Sequence, residues 1–183
     1  MSDTIGQIER KTQERGKKLF IGKLGYNFLG AWSDRENNRN VEREELREYL
    51  WKCHPDPKLI SRAIDHLGKV AGDTSKSLYD RNRAVYDLLR YGVKVRPDVG
   101  ENTVTLWLID WAQPLNNTFA IAEEVTVAGA DAKAAAKRPD IVLYVNGIAL
   151  GVLELKRSTV SVGAGIRQNL DNQKKEFIQP FFS

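Results

Sequence analysis

The sequence predicts an α/β domain in which helices flank a mixed β-sheet and the N-terminal part is mainly helical. The first observation is that apolar residues recur at helical spacing through about the first hundred positions. The second is that the period then changes from 3.6 to 2, in segments rich in β-branched and aromatic residues. A helical pattern returns from residue 164 onward. Helices on both sides of a run of strands are typical of a mixed α/β fold.

Four segments of the N-terminal part predict helices. Residues 5–24 carry a thin apolar stripe on a highly charged segment that stops at Gly25. After the polar loop GAWSDRENNRN, residues 41–53 predict a second helix with Asn40 as a candidate N-cap. The HPDP turn ends it, because proline cannot continue a helix. LISRAIDHLGKVAG and SLYDRNRAVYDLLRYG complete the helical part.

Four segments in succession then predict strands. They are VTLWLIDW, TFAIAEEVTV, RPDIVLYV and IALGVLELK. Asn146-Gly147 joins the last two as a hairpin turn, and AGIRQNLDNQKKEF predicts the following helix. We therefore predict one domain over residues 1–183, with a mainly helical part at 1–92 and a β-sheet core at 93–183. The abrupt end at PFFS suggests a fragment of a longer chain.

Composition excludes several classes of site. At 183 residues the chain suits one domain with a real core. A single cysteine, Cys53, excludes an internal disulfide, and with only His54 and His66 it also excludes a Cys/His zinc cluster. Any metal must then be held mainly by carboxylates. No apolar stretch of about 20 residues and no secretory signal are present, so we expect a cytoplasmic protein without a membrane partner.

The hairpin carries three charged residues among apolar ones, namely Asp140, Glu154 and Lys156. Glu154 and Lys156 share a face because side chains alternate along a strand. The face of Asp140 depends on the turn. A two-residue turn at Asn146-Gly147 with regular pairing places Asp140 and Glu154 on opposite faces. A three-residue loop, a bulge, or an aspartate splayed at the start of its strand brings Asp140 back to the face of Glu154.

Asp, Glu and Lys on one sheet face suit a particular chemistry. Two carboxylates supply the oxygen ligands that Mg²⁺ takes, while the ion keeps several waters. Bound Mg²⁺ activates a water and neutralises charge on a phosphodiester, and a lysine can assist. The residues therefore predict a metal-dependent phosphodiesterase. The alternative is a structural salt bridge between Asp140 and Lys156 in strands that are otherwise buried.

Pro139-Asp140, thirteen residues, and then Glu154-Leu155-Lys156 resemble the motif of the PD-(D/E)xK nuclease superfamily. More narrowly, RPDIVLYVNGIALGVLELKRS, with the upstream LLRYGVKV, VTLWLIDW and FAIAEEVTV, resembles the N-terminal endonuclease domain of the type I restriction enzyme R subunit. The resemblance covers roughly residues 78–178. It implies a restriction-endonuclease-like mixed sheet flanked by helices.

The resemblance also implies an activity and partners. It implies a motor subunit that cuts double-stranded DNA with Mg²⁺ after ATP-driven translocation, in a complex with methyltransferase and specificity subunits. Asp140 and Glu154 would be its metal ligands and Lys156 its catalytic lysine. No GxxxxGK[ST] phosphate loop occurs in this sequence. We therefore expect ATP to bind only the full-length protein, through translocase domains beyond Ser183.

Further site residues follow from the same resemblance. The family carries Gln-x-x-x-Tyr on the next helix, and Gln168 lies 14 residues after Glu154, but Asn172 stands where the tyrosine is expected. Gln168 is the favoured catalytic glutamine, and the tyrosine role stays open. Superfamily members often add an acid from the first helix, for which Glu9 and Glu14 are candidates.

Other charged and aromatic residues have two interpretations each. Four cations near the predicted site are candidate DNA-phosphate contacts, the alternative being a solvated helix surface: Arg157, Arg167, Lys174 and Lys175. The cations of the first helix, Lys17 among them, are expected on a solvated face of that helix.

Glu123 and Glu124 lie on the second predicted strand and would either add a metal ligand or cap an edge of the sheet. The four tryptophans show no nucleic-acid stacking pattern and are expected in the core or at a subunit interface.

The function predicted from the sequence is Mg²⁺-dependent cleavage of double-stranded DNA within an ATP-dependent type I restriction-modification complex. Two alternatives are kept. One is a non-catalytic module of the same fold that docks DNA or partner subunits. The other is a stand-alone nuclease of the PD-(D/E)xK superfamily.

Overall fold

The chain forms a mixed α/β structure in the computed structural model, which describes residues 5–127, 137–155 and 161–172. Within these ranges it has five α-helices and a four-stranded sheet, which confirms the predicted fold class. The strands of that sheet are β1 (Asn27–Ala31), β4 (Phe119–Glu123), β5 (Ile141–Val145) and β6 (Ile148–Leu153), in the order β1-β4-β5-β6. β1 is parallel to β4, whereas β5 and β6 form a hairpin, so the sheet is mixed.

The helices lie close to the predicted positions. They are α1 (Ile5–Lys18), prolonged by a π-helical turn at Leu19–Lys23, α2 (Arg43–Cys53), α3 (Pro57–Ala71), α4 (Leu78–Tyr91) and α5 (Val162–Asn172). A separate antiparallel pair joins β2 (Val93–Val95) to β3 (Val104–Leu106). In the described part of the chain, no helix is both long and apolar enough to cross a membrane.

Local chemistry explains where α3 begins. Asp56 occupies its N-cap, and a side-chain oxygen accepts from the backbone N of Lys58 at 2.8 Å and of Leu59 at 3.3 Å. Pro57 fits the first helical position, where its missing N–H costs nothing. The helix buries a stripe at helical spacing: Leu59, Ile60, Ala63, Ile64 and Leu67.

Three predictions about the elements were wrong. Strand β1 was not predicted, because its residues NFLGA are short and include a glycine that weakens the strand pattern. VTLWLIDW forms a strand only at Val104–Leu106. Asn40 does not cap α2, since Glu42 holds the N-cap position without a side-chain hydrogen bond. Instead, the carbonyl of Asn40 accepts from Ala149 N at 2.8 Å.

The chain divides into two compact units. Of the described residues, the sheet unit contains 5–40, 119–127, 137–144, 149–155 and 161–172, and the helical unit contains 41–118 and 145–148. The core of the sheet unit consists of Ala120, Ala122, Val125, Val127, Val142, Tyr144 and Ala149. The core of the helical unit is built mainly by α2, α3, β2 and β3. Whether the whole chain is a single nuclease domain stays a prediction.

The hairpin turn has two residues. Asn146 and Gly147 both have positive φ, at 52° and 79°, as a type I′ turn requires. The three-residue loop considered from the sequence is therefore wrong. Asn146 is fully buried, and its Nδ2 donates to Leu108 O at 2.9 Å while its Oδ1 accepts from Thr118 N at 2.7 Å. The side chain thus holds the turn in place.

Candidate active site

An acidic cleft of about 440 Å³ lies in the sheet unit. Residues of α1 and the chain at the ends of β1, β4 and β5 line it: Arg10, Gln13, Glu14, Ala31, Glu123, Glu124 and Asp140. The sequence predicted Asp140 as a metal ligand and Glu14 as an auxiliary acid, and it named Glu123 and Glu124 as candidates for a further ligand. The fold brings them together from positions far apart in the chain.

Hydrogen bonds from three residues of the described chain reach Asp140. Its Oδ2 accepts from the backbone N of Leu155 at 2.6 Å. Its carbonyl oxygen accepts from Glu124 N at 3.1 Å and from Gln13 Nε2 at 3.3 Å. The bond to Leu155 places the carboxylate of Asp140 against the chain segment that carries Glu154. It therefore links the start of β5 to the end of β6.

Side-chain packing near the turn follows the regular pairing of a two-residue hairpin. Tyr144 and Ala149 lie opposite each other in such a hairpin, and both belong to the core of the sheet unit. If this pairing continued along both strands, Asp140 and Glu154 would face opposite sides of the sheet.

Closer to the acidic cleft, two side-chain contacts differ from those that the regular pairing would give. A Cβ built on Gly151 would lie 3.6 Å from Leu143 Cδ1, although the regular pairing puts these residues on opposite faces. A Cβ built on Gly16 of α1 would lie 3.6 Å from Ile141 Cδ1 and 3.1 Å from Leu155 Cδ1, so both side chains point toward α1. One extra residue in β6, between Ala149 and Gly151, accounts for both contacts as a β-bulge does.

Among the alternatives left open by the sequence, these contacts favour a bulge. The two-residue turn alone would separate the carboxylates, and the bulge reverses that separation. From the contacts on either side of it, we infer that Asp140 and Glu154 share a face of the sheet.

Gln168 lies beside Glu154. Its Nε2 donates to Glu154 Oε2 at 2.9 Å, from an exposed position on α5. This is where the sequence placed the favoured glutamine, although its catalytic role stays a prediction.

An ion pair between Lys17 and Glu123, one of the residues that line the cleft, was missed in the sequence. Lys17 Nζ is 2.9 Å from Glu123 Oε2, and the Glu123 side chain is only 8% exposed. A buried carboxylate needs such a partner, since its desolvation costs several kcal/mol otherwise. β4 lies between β1 and β5, so the suggestion that Glu123 caps a sheet edge was wrong. Lys17 also lies over the Phe28 ring, with 4.2 Å between Nζ and the centroid, rather than on a solvated face.

The remaining predicted residues are distributed as follows. Arg167 is exposed on α5. Lys156, Arg157, Lys174, Lys175 and the side chain of Glu9 lie outside the described part of the structure. Among the described residues, no three His, Cys, Asp or Glu side chains are grouped so that they hold a metal ion.

A mixed sheet flanked by helices, with an acidic cleft where the hairpin begins, defines a nuclease-like α/β domain. The chain belongs to the family of the type I restriction enzyme R protein N terminus, whose model matches residues 7–183. This confirms the resemblance seen in the sequence. The chain is also similar to the type I restriction enzyme HindI endonuclease subunit of Haemophilus influenzae, with 34% identity over 116 residues. That match covers 62% of this chain and 11% of the relative's length.

Proposed function

We propose that this chain is the Mg²⁺-dependent endonuclease domain of a type I restriction enzyme R protein and that it hydrolyses phosphodiester bonds of double-stranded DNA. The observation that carries the proposal is the hydrogen bond from Leu155 N to Asp140 Oδ2 at 2.6 Å, which places the carboxylate of Asp140 against the residue that follows Glu154. The family and the name of the Haemophilus relative support the same activity.

The two carboxylates proposed as ligands, Asp140 of the acidic cleft and Glu154, fit Mg²⁺. This ion takes oxygen ligands, commonly one or two carboxylates, and completes its shell with water. The pair Asp140 and Glu154 is therefore sufficient without a third carboxylate. When bound, Mg²⁺ would supply a water of lowered pKa and would neutralise charge that develops on the phosphate.

The protein's own groups have separate tasks in this proposal. Asp140 and Glu154 hold the ion, and Gln168 orients Glu154 through their 2.9 Å hydrogen bond. Lys156 orients the attacking water or stabilises the charged phosphate in the transition state. Glu14 is the candidate acid from α1, since it lines the cleft with Asp140.

The wider setting is part of the proposal. Arg167, together with Arg157, Lys174 and Lys175, would contact DNA phosphates and position the duplex without reading its sequence. Methyltransferase and specificity subunits would supply target recognition, and ATP would act on translocase domains of the full-length protein. The cytoplasm, where the DNA lies, would be its compartment.

Titration of the chain with Mn²⁺, followed by calorimetry, tests the metal site. Asp140→Asn removes the charge of one proposed ligand, and we expect it to weaken binding by at least about 10-fold. Glu36→Gln changes an exposed carboxylate away from the cleft and should leave the affinity unchanged. Equal affinity of the wild type and Asp140→Asn would contradict the assignment of Asp140.

A further inference from the structure

A second cavity, of about 560 Å³, lies in the helical unit. It shares no lining residue with the acidic cleft. Its buried lining includes Tyr49 and Ile109, which are 3% and 4% exposed. Three aromatic side chains that also line it are well exposed, namely Tyr91, Trp107 and Trp111. The volume lies within the range of pockets that bind small organic groups.

The aromatic rings are exposed to an unusual degree for a cavity lining. Trp107 is 46% and Trp111 is 47% exposed, and Tyr91 is 62% exposed. Trp111 is nevertheless fixed, because its Nε1 donates to Leu89 O at 2.8 Å. A clustered group of exposed aromatic rings marks a binding surface rather than a part of the core.

The charged groups of this cavity favour an anionic ligand. Arg90 is exposed and lies over the Trp111 ring, 5.5 Å from its centroid. Asp110 is already engaged in its own turn, where its carboxylate accepts from Ala112 N at 3.1 Å and from Gln113 N at 2.9 Å. These bonds, with another from Asn116, hold the pKa of Asp110 below its ordinary value. The acid is thus satisfied locally, whereas the guanidinium faces the aromatic surface.

We propose that this aromatic cavity binds an unpaired base of single-stranded DNA, which stacks on Trp107 or Trp111 while Arg90 contacts the adjoining phosphate. Proteins commonly bind single-stranded nucleic acid through aromatic rings that lie beside a cation. The bases stack on the rings, and the cation attracts the negatively charged phosphates. The sequence predicted the tryptophans in the core or at a subunit interface, whereas Trp107 and Trp111 are 46% and 47% exposed. The proposal goes beyond DNA cleavage and does not depend on it.

Fluorescence anisotropy of a labelled 12-nucleotide dT strand, measured in EDTA so that no hydrolysis occurs, tests the proposal. Trp107→Ala should weaken binding about 10-fold, from the typical contribution of one stacked base. Trp51→Ala is the matched control, because Trp51 is 51% exposed but does not line the cavity. A strand of the same length with abasic sites keeps the phosphate charges but has no bases to stack. It therefore separates the contribution of base stacking to the affinity from that of charge. The wild type should bind that strand as weakly as Trp107→Ala binds dT.

Arg90→Gln gives a second, independent variant at an exposed position. It should weaken binding of both strands and reduce the slope of log affinity against log salt concentration by about 1. Equal affinity of Trp107→Ala and the wild type for dT would overturn the proposal. So would equal binding of the dT and abasic strands by the wild type. The assay contains no free divalent metal and measures no hydrolysis, so a failure of the proposed cleavage site would leave this result unaffected.

Discussion

Gln168 Nε2 donates a hydrogen bond to Glu154 Oε2 across 2.9 Å, which ties α5 to the end of the hairpin. A group that orients a metal ligand typically changes metal affinity by about 10- to 100-fold when it is removed. We therefore expect Gln168→Ala to weaken Mn²⁺ binding within this range in a calorimetric titration. Asn169→Ala, on the same helix, is the control. Unchanged affinity in Gln168→Ala would show that the bond has no part in the site.

The pair of Lys17 and Glu123 is expected to stabilise the sheet unit. Lys17→Met leaves the carboxylate of Glu123 buried and unpaired, and we expect a loss of about 3 kcal/mol in the free energy of unfolding by urea. The double variant Lys17→Met/Glu123→Leu removes both charges and should regain most of that loss. Lys18→Met, at an exposed neighbour, should change little. A single Lys17→Met variant as stable as the wild type would be inconsistent with a required partner.

Gly147 is expected to tolerate no side chain. At φ 79° alanine is strained, and its Cβ would lie 2.6 Å from Glu42 O and 2.9 Å from Leu46 N. Gly100→Ala is the matched control, because Gly100 has φ 89° with open space around its Cα. We expect Gly100→Ala to cost about 1 kcal/mol and Gly147→Ala at least about 2 kcal/mol more, measured by urea unfolding. Equal losses would mean that contacts around the turn can relax.

The contribution of Asp110 to the free energy of unfolding should depend on pH, and it should decrease in acid. Hydrogen bonds from Gln113, Asn116 and Ala112 lower its pKa in the folded chain from the ordinary 3.8. The folded state therefore binds a proton less readily than the unfolded state, and the ionised group stabilises folding above pH 3.8. This contribution disappears as the pH falls through the lowered value. The stability difference between the wild type and Asp110→Asn, followed by urea unfolding, should thus shrink in acid, and a constant difference would refute this origin.

The alternation of side chains between the two faces of the hairpin could be predicted from the sequence. The inferred bulge that interrupts this alternation in β6 could not. Asn146-Gly147 specified the turn, because both positions require positive φ. The extra residue near Leu150 leaves no compositional signal, since a bulge changes the pairing of side chains and not their type. The inference that Asp140 returns to the face of Glu154 rests on the contacts around Gly16 and Gly151, which are known only from the fold.

Contacts distant in sequence were equally beyond prediction. Lys17 and Glu123 are separated by 106 positions, and each alone is an ordinary charged residue. Trp107 and Trp111 show their common cavity only when α4 and the chain after β3 are folded. Glu14 was selected from a general property of the superfamily, and the fold places it in the same cleft as Asp140.

The most direct test of the proposed endonuclease uses the full-length R protein assembled with its partner subunits. DNA cleavage and ATP hydrolysis are measured together for the wild type, Asp140→Ala and Lys156→Ala, with Glu36→Gln as a control. The proposed site predicts that both alanine variants lose cleavage and keep ATP hydrolysis, because the ATPase would lie in other domains. Unimpaired cleavage in Asp140→Ala and Lys156→Ala would contradict the assignment of the active site.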